Sequence, residues 1–283
     1  MSKQGLFVGL VTLDLIYLVT ELPQCNQKIV ALEDLMTAGG PATNAAVTFS
    51  HLGNSATLLG SVGQHPSRHL MLADLQGVAI ADLTPNRTQS LPVSSILVTQ
   101  STGERAIVSR NAVQAQAPVT AIPSDILREV EIVLIDGHQM AVGQVIAEQS
   151  NAQKIPIVVD GGSWKAGFEK VLPYVDYAIC SANFRPPQCT TLAEALDYLI
   201  ALKIPHITIT NGSQPIQYFY QGIKGQIAVP QVQPVDTLGA GDIFHGAFCH
   251  FILSTHFLDA LTQAAAVAGR SCQSFGTRQW MSR

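Results

Sequence analysis

Residues 234–252 read Pro234-Val235-Asp236-Thr237-Leu238-Gly239-Ala240-Gly241-Asp242-Ile243-Phe244-His245-Gly246-Ala247-Phe248-Cys249-His250-Phe251-Ile252. Apolar residues 243, 244, 247, 248, 251 and 252 recur at helical spacing. Small residues stand just before them, after an extended stretch at 226–232. A helix start presents unpaired N–H groups and the positive end of its dipole. Glycines let an anion approach that backbone closely, so the segment is a phosphate cradle. It is neither a Walker A loop nor a dinucleotide fingerprint, because no G-K-[ST] or G-x-G-x-x-G is present. Asp242 falls in the first turn, where the dipole should keep it ionised and weakly basic. It reads equally well as a helix cap or as a group orienting an alcohol for phosphoryl transfer.

Outward from this segment, short β-rich runs at 6–13, 56–62, 132–136, 156–160, 177–181 and 206–211 alternate with helical stretches at 141–153 and 192–202. Several runs are continuously apolar, as in strands buried on both faces. The alternation implies βαβ units and a mostly parallel sheet flanked by helices. Segments 15–36 and 93–110 break it. The second reads as a hairpin turning at 101–104.

The 283 residues are 47% hydrophobic and only 13% charged, which excludes disorder and polybasic arms as main themes. With 16 basic and 20 acidic residues and no like-charge block, no nucleic-acid groove is expected. Cys25, Cys180, Cys189, Cys249 and Cys272 form no C-x-x-C pair, and their number is odd, which fits a reduced cytoplasmic protein. The apolar stretch 5–19 is interrupted by Asp14 and too short to span a bilayer, so it reads as a buried first strand and no membrane partner is expected.

A second glycine pair, in Ala38-Gly39-Gly40-Pro41-Ala42-Thr43-Asn44, opens a helix, with Pro41 in its first turn and Gly53 at its end. Asn44 offers a donor and an acceptor to a sugar hydroxyl, or is simply solvated. Asp14, at the end of the first apolar run, needs a polar partner.

The run D-T-L-G-A-G-D-x-F-x-G-A-F at 236–248 resembles the C-terminal signature of the PfkB, or ribokinase-like, carbohydrate kinases. G-G-P-A-T-N-A-A at 39–46 looks like the family's N-terminal signature. The resemblance implies a single ribokinase-like three-layer α/β sandwich over 1–283, with a small β-sheet lid built from about 15–36 and 93–110. It implies an ATP-dependent kinase acting on a hydroxyl of a sugar or sugar-like metabolite. Asp242 would be the general base, and Gly239, Ala240 and Gly241 the anion hole. Asp14, Gly39, Gly40 and Asn44 would bind the sugar. Family members use a polar residue against the sugar at the strand end where His138 stands, though a lone His also reads as a surface or core filler. By its own chemistry Arg105, just past the hairpin turn, reads as a contact to an acidic group on the substrate or as a solvated hairpin side chain. Asn183, Thr210, Gly212 and Gly276 would face ATP and Mg2+. Asp236 would lie beside a monovalent cation such as K+. Lid strands often pair in this family, which implies a homodimer.

Two positions depart from the pattern. Gln64-His65 stands where an Asp is common. In Ser181-Ala182-Asn183-Phe184-Arg185-Pro186, Pro186 replaces the Glu of N-x-x-E, a usual element of the magnesium network. That loss motivates one alternative, a ligand-binding relative with weak catalysis. Another is a nucleoside kinase on the same fold, against which stands the scarcity of lid aromatics, Tyr17 being one.

Overall fold

The structure is a computed structural model and describes residues 2–110 and 116–282. In chain order the elements are β1 (Gln4–Gly9), β2 (Thr12–Val19), β3 (Glu33–Gly39), α1 (Pro41–His51), β4 (Ser55–Gly60), α2 (Arg68–Asp74), β5 (Val78–Asp82), β6 (Val93–Thr99), β7 (Arg105–Ser109) and β8 (Ile132–Ile135). There follow α3 (Met140–Ala152), β9 (Ile157–Gly161), α4 (Phe168–Val171), β10 (Tyr177–Ser181), α5 (Leu192–Ala201), β11 (His206–Asn211), β12 (Gln214–Tyr220), β13 (Ile223–Ile227), α6 (Ala240–Ile252) and α7 (Phe257–Ser271).

Among the described residues a nine-stranded sheet runs β13-β12-β11-β10-β9-β8-β1-β4-β5. From β5 to β11 every pairing is parallel; β12 and β13 add an antiparallel edge. The strands are apolar on both sides because both faces are covered. Phe7, Leu58, Leu134 and Val158 point into a core with α1, α6 and α7, including Phe49, Phe248 and Leu261. Their neighbours Leu6, Val8, Leu59, Val133 and Val159 point the other way, onto Val142 and Ile146 of α3 and Leu199 of α5. Each such fully buried side chain contributes about 1.5–3 kcal/mol. The three-layer α/β expectation is met.

From β1 the chain steps outward to β4 and β5, then crosses back to β8 on the opposite side of β1. The β1–β8 junction is therefore the topological switch point, where such sheets leave a crevice at the carboxyl ends of their strands. Asp136, directly after β8, closes it. Its carboxylate accepts N–H bonds from Leu10 (2.9 Å), Ala42 (3.1 Å) and His138 (2.9 Å).

The second sheet has the order β3-β2-β6-β7. The hairpin expected at 93–110 is present as β6 and β7, antiparallel from Ser94↔Ser109 to Val98↔Arg105. The first strand corrects the expected span 6–13. It ends at Gly9, where the Leu10 amide turns to Asp136, and β2 then begins a different sheet. This sheet thus reaches beyond 15–36 to include both Asp14 and Gly39. Its inner face, Ile16, Leu18, Ile96 and Val98, packs with Leu35 against Phe275 and Leu238, beside the glycine-rich turn. No helix among the described residues is long and apolar enough to cross a membrane.

Candidate active site

The start of α6 is an open helix end. Gly239 is its N-cap in the left-handed region (φ 69°), and no side chain caps it. Glycine is required there, since a Cβ would also stand 2.7 Å from Thr277 Cγ2. Among the described residues the amides of Gly239, Gly241 and Asp242 have no acceptor, and the Ala240 amide has only a 3.4 Å contact to Thr237 O. Three N–H groups thus converge on the positive end of a 13-residue helix with nothing from the protein to accept them. The cap reading of Asp242 is removed, because the helix is not capped by it.

Asp242 Oδ2 instead accepts a 2.8 Å hydrogen bond from Asn44 Nδ2 on α1. Oδ1 has no protein partner among the described residues. Burial, and then the charge of Asp160 at the end of β9, push the carboxyl up to about 7. This corrects the expectation of a strongly ionised, weak base: burial outweighs the helix end. His245, one turn along α6, lies beneath. Its Nδ1 faces Gly241 O (2.7 Å) and is 3.6 Å from Asp160 Oδ2, while Nε2 faces Ile179 O (3.1 Å).

Asp14 is buried in β2, between Thr37 and Ser94, with its Oδ1 accepting from Thr12 (2.8 Å). Burial raises its pKa, opposed by Thr12, Ser94 and Arg278. Gly39 lies against the Asp14 carboxylate so closely that a Cβ would overlap it, and Gly40 (φ 106°) lies against Leu10 O. Asn44 follows one turn into α1. Asp14, Gly39, Gly40, Asn44 and Asp242 are thereby brought together, although Asn44 and Asp242 are 198 residues apart.

The other expected contacts distribute differently. His138 sits at the switch point, 3.2 Å from Asp136 Oδ1, with its side chain 15% exposed. Burial would raise the Asp136 pKa, but His138 and the Leu10 amide overcome that and hold it at about 2. Arg105 donates to Thr237 O (3.3 Å) and Oγ1 (2.9 Å), pinning the hairpin to the glycine-rich turn. The two oxygens of Asp236 accept the Leu238 and Gly276 amides, each at 2.8 Å. Gly276 is likewise buried, with its amide committed to Asp236 and Leu35 against it. Asn183 is exposed after β10, and Thr210 and Gly212 lie at the end of β11, on the same carboxyl edge.

Three residues were missed. Asp136 was legible only as the end of an apolar run, just as Asp14 was. Asp74 and Arg278 carry no local pattern. Arg278 Nη2 is 3.0 Å from Asp74 Oδ2, and Arg278 Nη1 donates to Asn44 Oδ1 (2.9 Å).

A family model for "pfkB family carbohydrate kinase" matches residues 3–282. The chain belongs to the pfkB family of carbohydrate kinases. This kinase is 25% identical over 284 residues to a ribokinase of Bacillus subtilis (97% of this chain, 94% of that one). It is 25% identical over 292 residues to a ketohexokinase of Mus musculus (96% of each). Among solved structures, a putative ribokinase from Agrobacterium tumefaciens superposes with a TM-score of 0.86 at 24% identity over 100% of both chains. A ribokinase of Arabidopsis thaliana complexed with ribose and ATP gives 0.75 at 22% identity, covering 98% of this chain and 94% of that one. The fold is therefore ribokinase-like, and the enzyme is a sugar kinase that phosphorylates a hydroxyl.

Proposed function

We propose that this kinase transfers the terminal phosphoryl group of ATP to a hydroxyl of a sugar or sugar-like metabolite held by Asp14, Gly39, Gly40 and Asn44. The observation that carries the reading is the pairing of three acceptor-free amides at 239, 241 and 242 with a carboxylate whose Oδ1 is unengaged. Asp242 Oδ1 takes the hydroxyl proton as the alcohol oxygen bonds to phosphorus. The bond from that phosphorus to the bridging oxygen breaks and ADP leaves. The amides stabilise negative charge on the moving group, a contribution of about 10²–10³ in rate per donor. A base near neutrality suits general-base catalysis at physiological pH.

ATP lies along the carboxyl edge, toward Asn183, Thr210 and Gly212. Asn183, after β10, would face a magnesium ion, which would supply charge neutralisation on the phosphates. The β3-β2-β6-β7 sheet excludes water as a lid, anchored through Arg105 and Thr237.

The test is ADP release from wild type against ketoses, aldoses, sugar acids and nucleosides. Sugar-dependent release supports the reading. A nucleoside preference moves the substrate class, and tight sugar binding with no turnover on any acceptor overturns the catalytic reading.

A further inference from the structure

We infer that Arg278 is a positioning residue for Asp242: it fixes the orientation of the Asn44 amide, so that Asn44 holds one oxygen of the base and leaves the other to the acceptor hydroxyl. This rests on the proposed role of Asp242.

All of the guanidinium nitrogens are engaged by the protein. Nε donates to Asp74 Oδ2 (3.2 Å), and Nη2 donates to Ala38 O (2.8 Å) and lies 3.0 Å from Asp74 Oδ2. Nη1 donates to Asn44 Oδ1 (2.9 Å) and Thr277 Oγ1 (2.9 Å), with a longer contact to Thr277 O (3.4 Å). Every guanidinium nitrogen therefore has a protein partner. The contact with Asn44 decides something else. The two ends of an Asn amide have nearly the same shape, and only hydrogen bonding separates them. Arginine has donors and no acceptor, so Asn44 must turn its oxygen toward Arg278. Its NH2 group then faces Asp242, where the structure has it at 2.8 Å. If the amide turned over, an oxygen would face the Asp242 carboxylate, and both would lose a donor.

The same guanidinium braces the sugar side. Ala38 sits just before Gly39-Gly40. Its carbonyl accepts from Arg278 and its amide donates to Asp74 Oδ2 (3.0 Å). The Arg278–Asp74 pair thus brackets both backbone groups of the residue that leads into the glycine turn. One C-terminal side chain ties β3, α2 and α1 to the base on α6. Fork geometry and charge both matter here, and lysine supplies only the second.

The carboxylates around Asp242 come from several elements. They are Asp160 in β9, Asp136 after β8, Asp14 in β2 and Asp74 in α2; the His245 imidazole on α6 and the Arg278 guanidinium stand with them. Removing the Arg278 charge leaves Asp14 and Asp242 less compensated. Arg278→Lys should therefore lower kcat by about tenfold to a hundredfold, the scale of a lost alignment, with the acid limb of the kcat/KM profile unmoved. Arg278→Gln should lower kcat similarly and shift that limb to higher pH. In kcat, Arg278→Lys combined with Asn44→Ala should lose less than the product of the two single losses, since the arginine acts on the base through the amide.

A readout independent of turnover is the Asn44 side-chain NH2 resonance, assigned through Asn44→Ala. It should shift or broaden in Arg278→Lys. If that variant fails to fold, Asp74→Asn replaces it and should perturb the same resonance and lower kcat in the same direction. Wild-type kcat and an unshifted Asn44 amide in a folded variant would overturn the inference, as would full additivity of the double variant. Wild type inactive toward every acceptor would overturn the proposed function instead, while the Asn44 resonance still decides whether Arg278 orients the amide.

Discussion

Asp136→Ala tests the switch point in energetic terms. The carboxylate is 1% exposed and accepts three backbone N–H bonds, from Leu10, Ala42 and His138. Hydrogen bonds to a charged group contribute about 1.5–3 kcal/mol each, and the burial of the charge offsets several kcal/mol of that total. Removing one partner of such a buried charged cluster typically costs about 3–5 kcal/mol. At about 2.1 cal/mol/K per residue, 283 residues convert that loss into a Tm decrease of about 5–8 °C. The pH dependence gives an independent handle. Asp136 titrates at about 2 in the fold against about 3.9 unfolded. A depressed carboxylate stabilises the fold above its unfolded value and loses that contribution as pH falls through its folded value. The linkage is about 2–3 kcal/mol, lost between about pH 5 and about pH 1. Urea unfolding of wild type and Asp136→Ala at several pH values measures both. A difference below about 1 kcal/mol at neutral pH, or an acid-side slope unchanged by the substitution, would refute the reasoning.

Three further outcomes are expected. Asp242 must be ionised to accept a proton, and its carboxyl stands at about 7. So kcat/KM should rise about tenfold per pH unit below that value and level off above it, as read by initial rates; a flat profile on the acid side contradicts this. Gly241→Ala places a methyl where no atom lies within 4 Å; melting should be unchanged or raised, whereas kcat/KM should fall at least about tenfold if that space takes the phosphoryl group. Gly39→Ala drives a Cβ into the Asp14 carboxylate; calorimetric sugar affinity should fall by about 100-fold or more, from displacing a buried charged contact.

The sheet was legible because its strands are apolar on both faces and alternate with amphipathic helices. The break between β1 and β2 was not. The apolar pattern runs unbroken from Leu6 to Leu13, and what ends the first strand is Asp136, more than a hundred residues on, taking the Leu10 amide. The glycine-rich helix start marked an anion site by local chemistry alone. Its partner Asn44 read as a sugar ligand only through the family resemblance, and the Asn44–Asp242 bond is a product of tertiary packing. The basicity of Asp242 is hidden from the sequence for the same reason. The helix dipole is visible in sequence, while the burial and the Asp160 charge that oppose it are not. Arg278 was invisible because its partners at 38, 44 and 74 lie more than 200 residues away.

The central claim is that Asp242 takes a proton from an alcohol while the amides at the start of α6 hold the phosphoryl group. Single-turnover phosphoryl transfer by Asp242→Asn, with sugar affinity measured alongside by calorimetry, tests it most directly. The account predicts near-normal sugar binding and a transfer rate reduced by about 10²–10⁴, the scale of general-base catalysis. Transfer at the wild-type rate in that variant would contradict it.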